Sequence, residues 1–315
     1  MNIWVALLKR EWWEHRGGLG WAPLATLALI VVFLMVLTTV GGVVYYEPGV
    51  TTGDDMRVVV LSGNANLREW VQLVLSEHDW TKAFLTQQLA NVGNGITAVF
   101  ALVYFSVAVF VLLGCLHDDR KDGTVLFWKS LPVTDTQTVV SKLVMVVWLA
   151  PVVVIACIAM AQLFALGLLS FLVSGSEQLS VAELWASADP GNDLVMLVVQ
   201  FYTQAFWSFP LWGWLLLVSA VVPKIAMVWA IFLPSIPVFL EVATFGTDRI
   251  RETITLHFFD RVFTMGTVTD EERSGATELV DIARLWLTTD MWLGIAVGVA
   301  FVFAAVYFRR RKNEI

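Results

Sequence analysis

The side chains of this chain that could take part in binding or chemistry are concentrated in one stretch, LHDDRKDGTVLFWKSLPVTD, at residues 116–135. This stretch lies between two long runs, 83–116 and 143–176, that contain no Asp, Glu, Lys or Arg. Its mixture of charges and aromatics favours the binding of a partner, because aromatic anchors inside a charged rim are typical of docking surfaces. The alternative is an interfacial segment, in which the aromatics settle at a membrane surface and the charges stay in water.

The rest of the chain has no recognisable motif for catalysis or for nucleotide binding. It contains no G-x-x-x-x-G-K-[ST] loop, no H-E-x-x-H and no G-x-S-x-G. The histidines are dispersed along the sequence at His15, His78, His117 and His257. We therefore expect no catalytic residue, no metal and no cofactor bound by this chain, and we expect it not to be an enzyme. An intramembrane enzyme is the least favoured alternative, because paired catalytic residues are lacking.

The elements that position this stretch are long apolar runs. Apolar residues make up 58% of the 315 residues and charged residues only 15%, against about 25% charged residues in soluble proteins. Runs of about 20 apolar residues are long enough to cross a bilayer. The sequence thus predicts an all-α integral membrane protein, a single domain over residues 1–315. Its six transmembrane helices are predicted at roughly 21–45, 94–116, 140–172, 196–222, 225–245 and 288–308.

Helix signals refine the ends of these spans. Thr134 or Asp135 is expected to cap the third span, and the fourth and fifth spans are separated only by Pro223 and Lys224, which predicts a tight helical hairpin. We expect no cleaved signal peptide, because the first apolar run is much longer than the roughly 7–15 residues of a signal-peptide core.

The distribution of Lys and Arg predicts the orientation. With six spans, both termini lie on the same side of the membrane, and the segments on that side are richer in Lys and Arg than the segments on the opposite side. Because basic residues are concentrated in cytoplasmic segments, we expect both termini to be cytoplasmic. Residues 117–139 then form a cytoplasmic loop, and 46–93 and 246–287 are extracytoplasmic. Arg309, Arg310, Arg311 and Lys312 form a stop-transfer cluster that could also contact anionic lipid headgroups. The net charge of −7 gives no indication of a nucleic-acid partner.

The N-terminal stretch WVALLKREWWEHR predicts a cytoplasmic amphipathic helix within residues 1–16. Apolar residues fall on one helical face and Lys9, Arg10 and Arg16 towards another. Such a helix is expected to lie in the membrane interface. It either contacts a partner or serves as a plain lipid anchor, and the two roles can coexist.

Polar residues inside the predicted spans are candidates for a pathway or gate, namely Gln200, Gln204 and Glu241. An intramembrane carboxylate is costly and by default marks a functional site. The favoured alternative places Glu241 at the outer interface. Glutamines can line a cavity, but they bond helix to helix more often.

The pattern Asp-Asp-Arg-x-Asp-Gly-Thr at 118–124, followed by Leu-Pro-Val-Thr at 131–134 and by Lys142, resembles the permease subunits of ABC-2 type exporters. The resemblance implies that the loop carries a coupling helix for an ATP-binding subunit, and that the N-terminal helix is a connecting helix. The implied coupling residues are Asp118, Asp119, Arg120, Asp122, Gly123, Thr124, Phe127 and Trp128, with either Asp118 or Asp119 making the acidic contact. The implied connecting-helix residues are Trp4, Leu8, Arg10 and Trp12.

The same resemblance implies a function and a set of partners. The chain is expected to be the permease subunit of an exporter in the inner (plasma) membrane of a bacterium, moving a hydrophobic or amphipathic substrate outward. ATP and Mg²⁺ are expected on a separate ABC ATP-binding subunit, and a second permease copy is expected to complete a homodimer in the lipid bilayer. The alternative function is a membrane anchor or regulatory subunit that recruits a cytoplasmic partner without transport.

Overall fold

The structure is a computed structural model that describes residues 3–40, 44–47, 57–60, 82–121, 133–175, 179–222, 225–255 and 275–311. Residues 122–132, the centre of the predicted coupling helix, lie outside the described residues, so that prediction stays a prediction. The predicted turn at Pro223 and Lys224 also lies outside them.

The described residues are almost entirely helical. The helices are α1 (Ile3–Arg16), α2 (Ala22–Val40), α3 (Lys82–Lys121), α4 (Asp135–Val144), α5 (Ala150–Val173), α6 (Val181–Ala188), α7 (Pro190–Trp207), α8 (Phe209–Val221), α9 (Ala226–Phe245), α10 (Arg249–Thr255), α11 (Gly275–Trp286) and α12 (Thr289–Arg311). One antiparallel ribbon joins β1 (Val44–Glu47) to β2 (Arg57–Val60), with Val44 opposite Val60.

Within the described part of the chain, five helices are long and apolar enough to cross a membrane, or six if one bent pair counts as a single span. This confirms the helical membrane architecture. α3 has 40 residues, which at 1.5 Å per residue is about 60 Å, twice the hydrocarbon thickness of about 30 Å. It therefore extends well beyond the predicted span 94–116.

The bent pair consists of Val181–Trp207, which comprises α6 and α7, and of α8, and the two meet at Ser208 with an angle of 51° between them. The sequence predicts one continuous span at 196–222, and the difference has a local cause. Pro210 has no N–H to donate to the preceding turn, so the helical hydrogen-bond ladder is interrupted there. The indole N–H of Trp212 donates to the carbonyl oxygen of Ala205 at 3.1 Å, and the amide of Gln204 donates to the Ser208 hydroxyl at 2.8 Å. These bonds stabilise the bend.

The N-terminal helix also differs from expectation. α1 continues into α2 through a π-helical turn at Gly17–Trp21, so that Ile3–Val36 forms one helix without a break before the first span. The predicted position of residues 1–16 in the membrane interface stays a prediction. Leu7 and Glu11, one turn apart on the same face of α1, are both buried against the bundle.

The third span consists of α4 and α5 joined by a second π-helical turn, Met145–Leu149. Thr134 caps α4 through a reciprocal capping box with Gln137. Of the two residues expected as the cap, Thr134 and Asp135, Thr134 therefore has this role. Two tyrosines of neighbouring helices donate hydrogen bonds to carbonyl oxygens of the π turn. Tyr104 contacts Val146 at 3.0 Å and Tyr202 contacts Trp148 at 3.1 Å.

The core lies among α3, α4, α5, α7, α8 and α12, and α8 packs most extensively against α12. Two glycines permit this close approach. A Cβ atom at Gly213 would overlap the carbonyl oxygen of Gly298, and a Cβ at Gly298 would overlap Phe209. By contrast, α2, α9 and α12 expose many large apolar side chains on their outer faces, as expected of helices that contact lipid.

We predict that Gly213→Ala lowers the free energy of unfolding by about 1–3 kcal/mol, the usual cost of over-packing a tight contact. Gly167→Ala is the matched control, because a Cβ at Gly167 meets nothing within 4 Å and alanine is the better helix former by about 1 kcal/mol. Denaturant-induced unfolding in detergent micelles measures both variants. Equal stability of the two would contradict the close contact of α8 with α12.

Candidate functional site: a buried ionic cluster

Charged side chains from helices far apart in sequence meet at one end of the helix bundle. We call this group the ionic cluster, and its members are Arg10 and Glu11 of α1, Asp119 of α3, Asp135 and Lys142 of α4, and Arg309 of α12. Three acids thus face three bases.

Lys142 lies at the centre of the first half of the cluster. Its Nζ is 3.2 Å from Glu11 Oε2 and 3.5 Å from Asp119 Oδ2. Arg10 approaches the same two acids, at 3.5 Å from Glu11 Oε1 and 3.6 Å from Asp119 Oδ1. These contacts join α1 to the end of α3 and to the last turn of α4.

Arg309 forms the second half. Its Nε donates to Asp135 Oδ1 at 3.2 Å, and its Nη1 donates to Asp119 Oδ2 at 3.4 Å. Arg309 lies in the last turn of α12, where a cation also interacts favourably with the helix dipole. Its side chain therefore lies within the bundle and not at the lipid headgroups, and the stop-transfer role of residues 309–312 stays a prediction.

Four of the six members are almost completely removed from solvent, whereas the side chains of Arg10 and Asp135 are 21% and 23% exposed. The exposed fraction is 0% for Glu11, 2% for Lys142, 4% for Asp119 and 5% for Arg309. Taking charges out of water costs several kcal/mol per ion, and removing one member of a buried pair typically costs about 3–5 kcal/mol. The four buried members consequently depend on their partners, because removal of one leaves a buried charge without full compensation.

A serine of α8 extends the cluster to a further helix. The Ser219 hydroxyl accepts hydrogen bonds from the backbone N–H groups of Leu116 and His117, both at 3.1 Å. Ser219 is fully buried. The end of α3 is thereby bonded to α8 as well as to α1, α4 and α12.

The predicted coupling residues differ in their surroundings. Asp119 is buried in the cluster, whereas the side chain of Asp118 is 65% exposed and lies 3.3 Å from His117 Nδ1. The backbone of Arg120 continues α3. Asp122, Gly123, Thr124, Phe127 and Trp128 lie outside the described residues.

The predicted connecting-helix residues also differ in their surroundings. Trp4 is 39% exposed, Leu8 is half-buried and Trp12 packs against the core, while Arg10 belongs to the ionic cluster. The sequence reasoning missed Glu11, the most buried acid of α1. One signal pointed to it: Glu11 follows Leu7 by one helical turn and therefore shares its face.

The candidate pathway residues lie apart from one another. Gln200 lines a cavity between α3, α5, α6 and α7, and Gln204 is bonded to Ser208. Glu241 lies in the last turn but one of α9, where its carboxylate accepts hydrogen bonds from the Thr247 hydroxyl at 2.7 Å and from the backbone N–H groups of Arg249 and Ile250 at 3.0 and 2.7 Å. These bonds give Glu241 a structural role at the end of its helix, and its role in a pathway stays a prediction.

Among the described residues, one group has the geometry of possible metal ligands. Atoms of Glu11, Glu14 and His15 lie within 4.8 Å of one another. However, Lys142 and Arg10 contact the Glu11 carboxylate, and Arg10 also contacts Glu14 at 3.2 Å. Cations of the protein thus already neutralise these acids, and we assign the group to the surroundings of the ionic cluster.

We predict that Lys142→Met lowers the free energy of unfolding by about 3–5 kcal/mol, because it leaves Glu11 and Asp119 short of a buried partner. The double variant Glu11→Gln with Lys142→Met should lose less than the sum of the single changes, since the two residues are in contact. Arg251→Met is the matched control. Its exposed ion pair with Asp248 should contribute at most about 1 kcal/mol.

Unfolding of these variants in detergent provides the measurement. Equal losses for Lys142→Met and Arg251→Met, or additive losses in the double variant, would mean that the cluster does not stabilise the bundle as a unit.

Comparison with known proteins yields no relative for this arrangement. No protein-family model, no curated protein and no solved structure matches the chain. A function for it therefore has to rest on its own residues.

Proposed function

We propose that the chain is the permease subunit of an ABC-2 type exporter and that it works with a separate ATP-hydrolysing subunit. The observation that carries the proposal is the position of the ionic cluster. Asp119 precedes the segment 120–134, and Asp135 and Lys142 follow it, so both ends of this segment are held by buried ion pairs.

A segment held in this way can transmit force. Whatever binds the loop moves the ends of α3 and α4, and the ion pairs of Arg309 and Glu11 carry that movement to α12 and α1. Sliding of one helix past another would separate buried charges, which is costly in a medium of low dielectric constant. The loop and the four helices therefore respond together, as a coupling device between an ATPase and a membrane pathway requires.

Three irregular points provide places for the spans to bend during such a movement. They are the π turns Gly17–Trp21 and Met145–Leu149 and the break at Ser208. Mid-helix π turns often mark functional sites. The turn at Met145–Leu149 begins only three residues after Lys142, so bending there would leave the cluster intact while the rest of the span moves.

The two adjacent acids have different roles in this proposal. Asp118 is exposed and is the acid that can contact a partner, whereas Asp119 is buried and holds the loop to the bundle. Phe127 and Trp128 would be the aromatic anchors in a groove of the partner.

The partners follow from the same proposal. ATP and Mg²⁺ belong to the ABC ATP-binding subunit, and this chain is not itself an enzyme. One loop can engage one ATPase subunit, whereas ATP is bound between two such subunits, so a second permease copy completes a homodimer.

The complex would lie in a bacterial inner membrane with both termini cytoplasmic and would move a hydrophobic or amphipathic substrate outward. Nucleic acid has no part in it.

We predict that Asp118→Lys, and separately Phe127→Ala with Trp128→Ala, abolish co-purification of an ATP-hydrolysing subunit from native membranes. Truncating a central aromatic anchor typically costs about 2 kcal/mol or more, which corresponds to at least about 25-fold in affinity. The measurement is ATP turnover and subunit stoichiometry in the purified complex, with unfolding of the isolated chain as the check on its integrity. Phe245→Ala is the control, since Phe245 is exposed at the far end of α9.

The outcomes separate the two candidate functions. An ATPase whose turnover depends on this chain supports the exporter. A partner without ATP turnover supports the membrane anchor, and full association of the loop variants would contradict a docking role for residues 116–135.

The orientation has its own prediction. Cysteines introduced at Asn2, Trp128 and Asn313 should react with an impermeant maleimide only from the cytoplasmic side, and cysteines at Asp54, Ala186 and Glu272 only from the outside. The native Cys115 and Cys157 are buried and can remain. Labelling of positions 272 and 313 from the same side would rule out the topology with six spans.

A further inference from the structure

A cavity of about 280 Å³ lies between α3, α5, α6 and α7, at the end of the bundle away from the ionic cluster. Along α3, Asn94 in the cavity wall and Asp119 in the cluster are 25 residues apart, which is about 37 Å of helix. This distance exceeds the roughly 30 Å of the hydrocarbon layer, so the cavity and the cluster are separate sites at opposite ends of the spans. Its volume is near the lower limit, about 300 Å³, of pockets that hold small molecules.

The cavity wall contains both exposed acids and exposed apolar side chains. Asp189 and Asp193 are exposed at the start of α7, and a carboxylate is costly within hydrocarbon. Val92, Leu163 and Leu194 line the same cavity and are 46%, 46% and 43% exposed. These apolar side chains are more favourable in hydrocarbon than in water. The cavity therefore lies across the boundary between water and hydrocarbon, where an amphipathic molecule can present its headgroup and its chain to different surroundings.

Three amide side chains line the cavity, each from a different helix: Asn94 of α3, Gln162 of α5 and Gln200 of α7. All three residues are half-buried. Gln162 Nε2 donates to the Gly93 carbonyl oxygen and to the Thr97 hydroxyl, both at 3.2 Å, so its amide oxygen is the group left for a ligand. Within the described part of the chain, the amides of Asn94 and Gln200 form no hydrogen bond. They can each offer a ligand both donors and an acceptor.

The remainder of the wall is apolar and suits an alkyl chain. Ile96, Leu166, Met196 and Leu197 line it and are each at most 8% exposed. Every methylene group that a ligand buries against such a surface raises its affinity about fourfold. The amides and these apolar side chains together match a molecule with a polar headgroup and a short chain.

The surroundings of the amides favour an uncharged headgroup. Among the described residues that line the cavity, none is Lys, Arg or His, so an anion would lack a counter-charge. The two acids have other roles. Asp189 accepts a hydrogen bond from the Asn192 backbone N–H and caps α7, and Asp193 lies in the first turn of α7, where an acid is favoured by the helix dipole. Both acids are exposed, so water and salt screen their attraction for a cation.

We propose that this cavity binds a small uncharged amphipath, whose hydroxyl-bearing headgroup contacts the amides of Asn94, Gln162 and Gln200 and whose alkyl chain lies on the apolar wall. A hydroxyl group both donates and accepts a hydrogen bond, so it can satisfy the Gln162 oxygen together with either neighbouring amide. The binding itself does not depend on the function proposed above. Only the further statement that such an amphipath is the transported substrate rests on that function.

The experiment uses the purified full chain in nanodiscs of zwitterionic lipid and a photoactivatable probe, 1,2-octanediol with a diazirine on its alkyl chain. Irradiation links the probe to the residues that it contacts, and mass spectrometry identifies them. We expect saturable labelling within residues 86–97, 159–169 and 187–200, which contain the cavity wall.

Competitors of equal chain length test the headgroup. They are unlabelled 1,2-octanediol, octanoate and octylammonium, and the last two are ionised at neutral pH because carboxyl groups titrate near pH 4 and amines near pH 10. The diol satisfies the amides without carrying a charge out of water, so we expect it to reduce labelling at about tenfold lower concentration than either ion.

Two variants test the wall. Gln200→Leu removes one amide at similar size and should weaken protection by the diol about three- to tenfold, the effect of one or two hydrogen bonds. Ala90→Leu adds a larger side chain to the cavity wall and should abolish labelling there while keeping all three amides. Gln88→Leu is the matched control, because Gln88 is an exposed glutamine of α3 outside the described wall, and it should bind like the unchanged chain.

Gel filtration and circular dichroism verify that each variant is folded; should Ala90→Leu fail to fold, the competitors and Gln200→Leu still decide. Protection by either ion as strong as that by the diol would overturn the proposal, and so would equal binding by Gln200→Leu and Gln88→Leu. Labelling that does not saturate would overturn it as well and would identify a crevice filled by lipid tails. Failure to find an ATPase partner would refute the exporter proposal and leave this binding measurement intact.

Discussion

Charge neutralisation in a region without water is the constraint on which the rest of the structure depends. Glu11, Asp119, Lys142 and Arg309 are each almost fully buried, and each is tolerable there only because the others are present. Their pairing joins α1, the end of α3, the last turn of α4 and the last turn of α12. The short apolar contacts of the core, including those permitted by Gly213 and Gly298, then fill the space between helices whose ends are already fixed.

Hydropathy was sufficient to predict the spans, because a membrane segment must satisfy its backbone hydrogen bonds within itself and therefore forms a long apolar helix. It was not sufficient to predict the cluster. Glu11, Lys142 and Arg309 are far apart in sequence, and each on its own has the pattern of an ordinary charge at a membrane boundary. The break at Ser208 was missed for a related reason. Pro210 signals an interruption, but the side-chain bonds of Trp212 and Gln204 that stabilise the bend depend on the folded geometry.

The two ends of the bundle differ in their electrostatics. At one end, acids and bases are matched within the protein, and the helices are joined into a stiff unit. At the other end, the described wall of the cavity contributes amide, carboxylate and apolar side chains. Two continuous elements connect these ends, α3 and the third span formed by α4 and α5. A movement that starts at the loop would reach the cavity wall along these two elements, and the π turn at Met145–Leu149 lies on one of them.

That π turn also determines which sides of the third span face the two sites. Lys142 and Gln162 are 20 residues apart, and in an uninterrupted α-helix a separation of 20 residues is a rotation of about 200°, nearly opposite sides. A π turn accommodates one additional residue, which reduces this rotation to about 100°. Lys142 can therefore point into the ionic cluster while Gln162 lines the cavity. A single inserted residue thus allows one membrane span to contribute to two sites that a regular helix would direct to opposite sides.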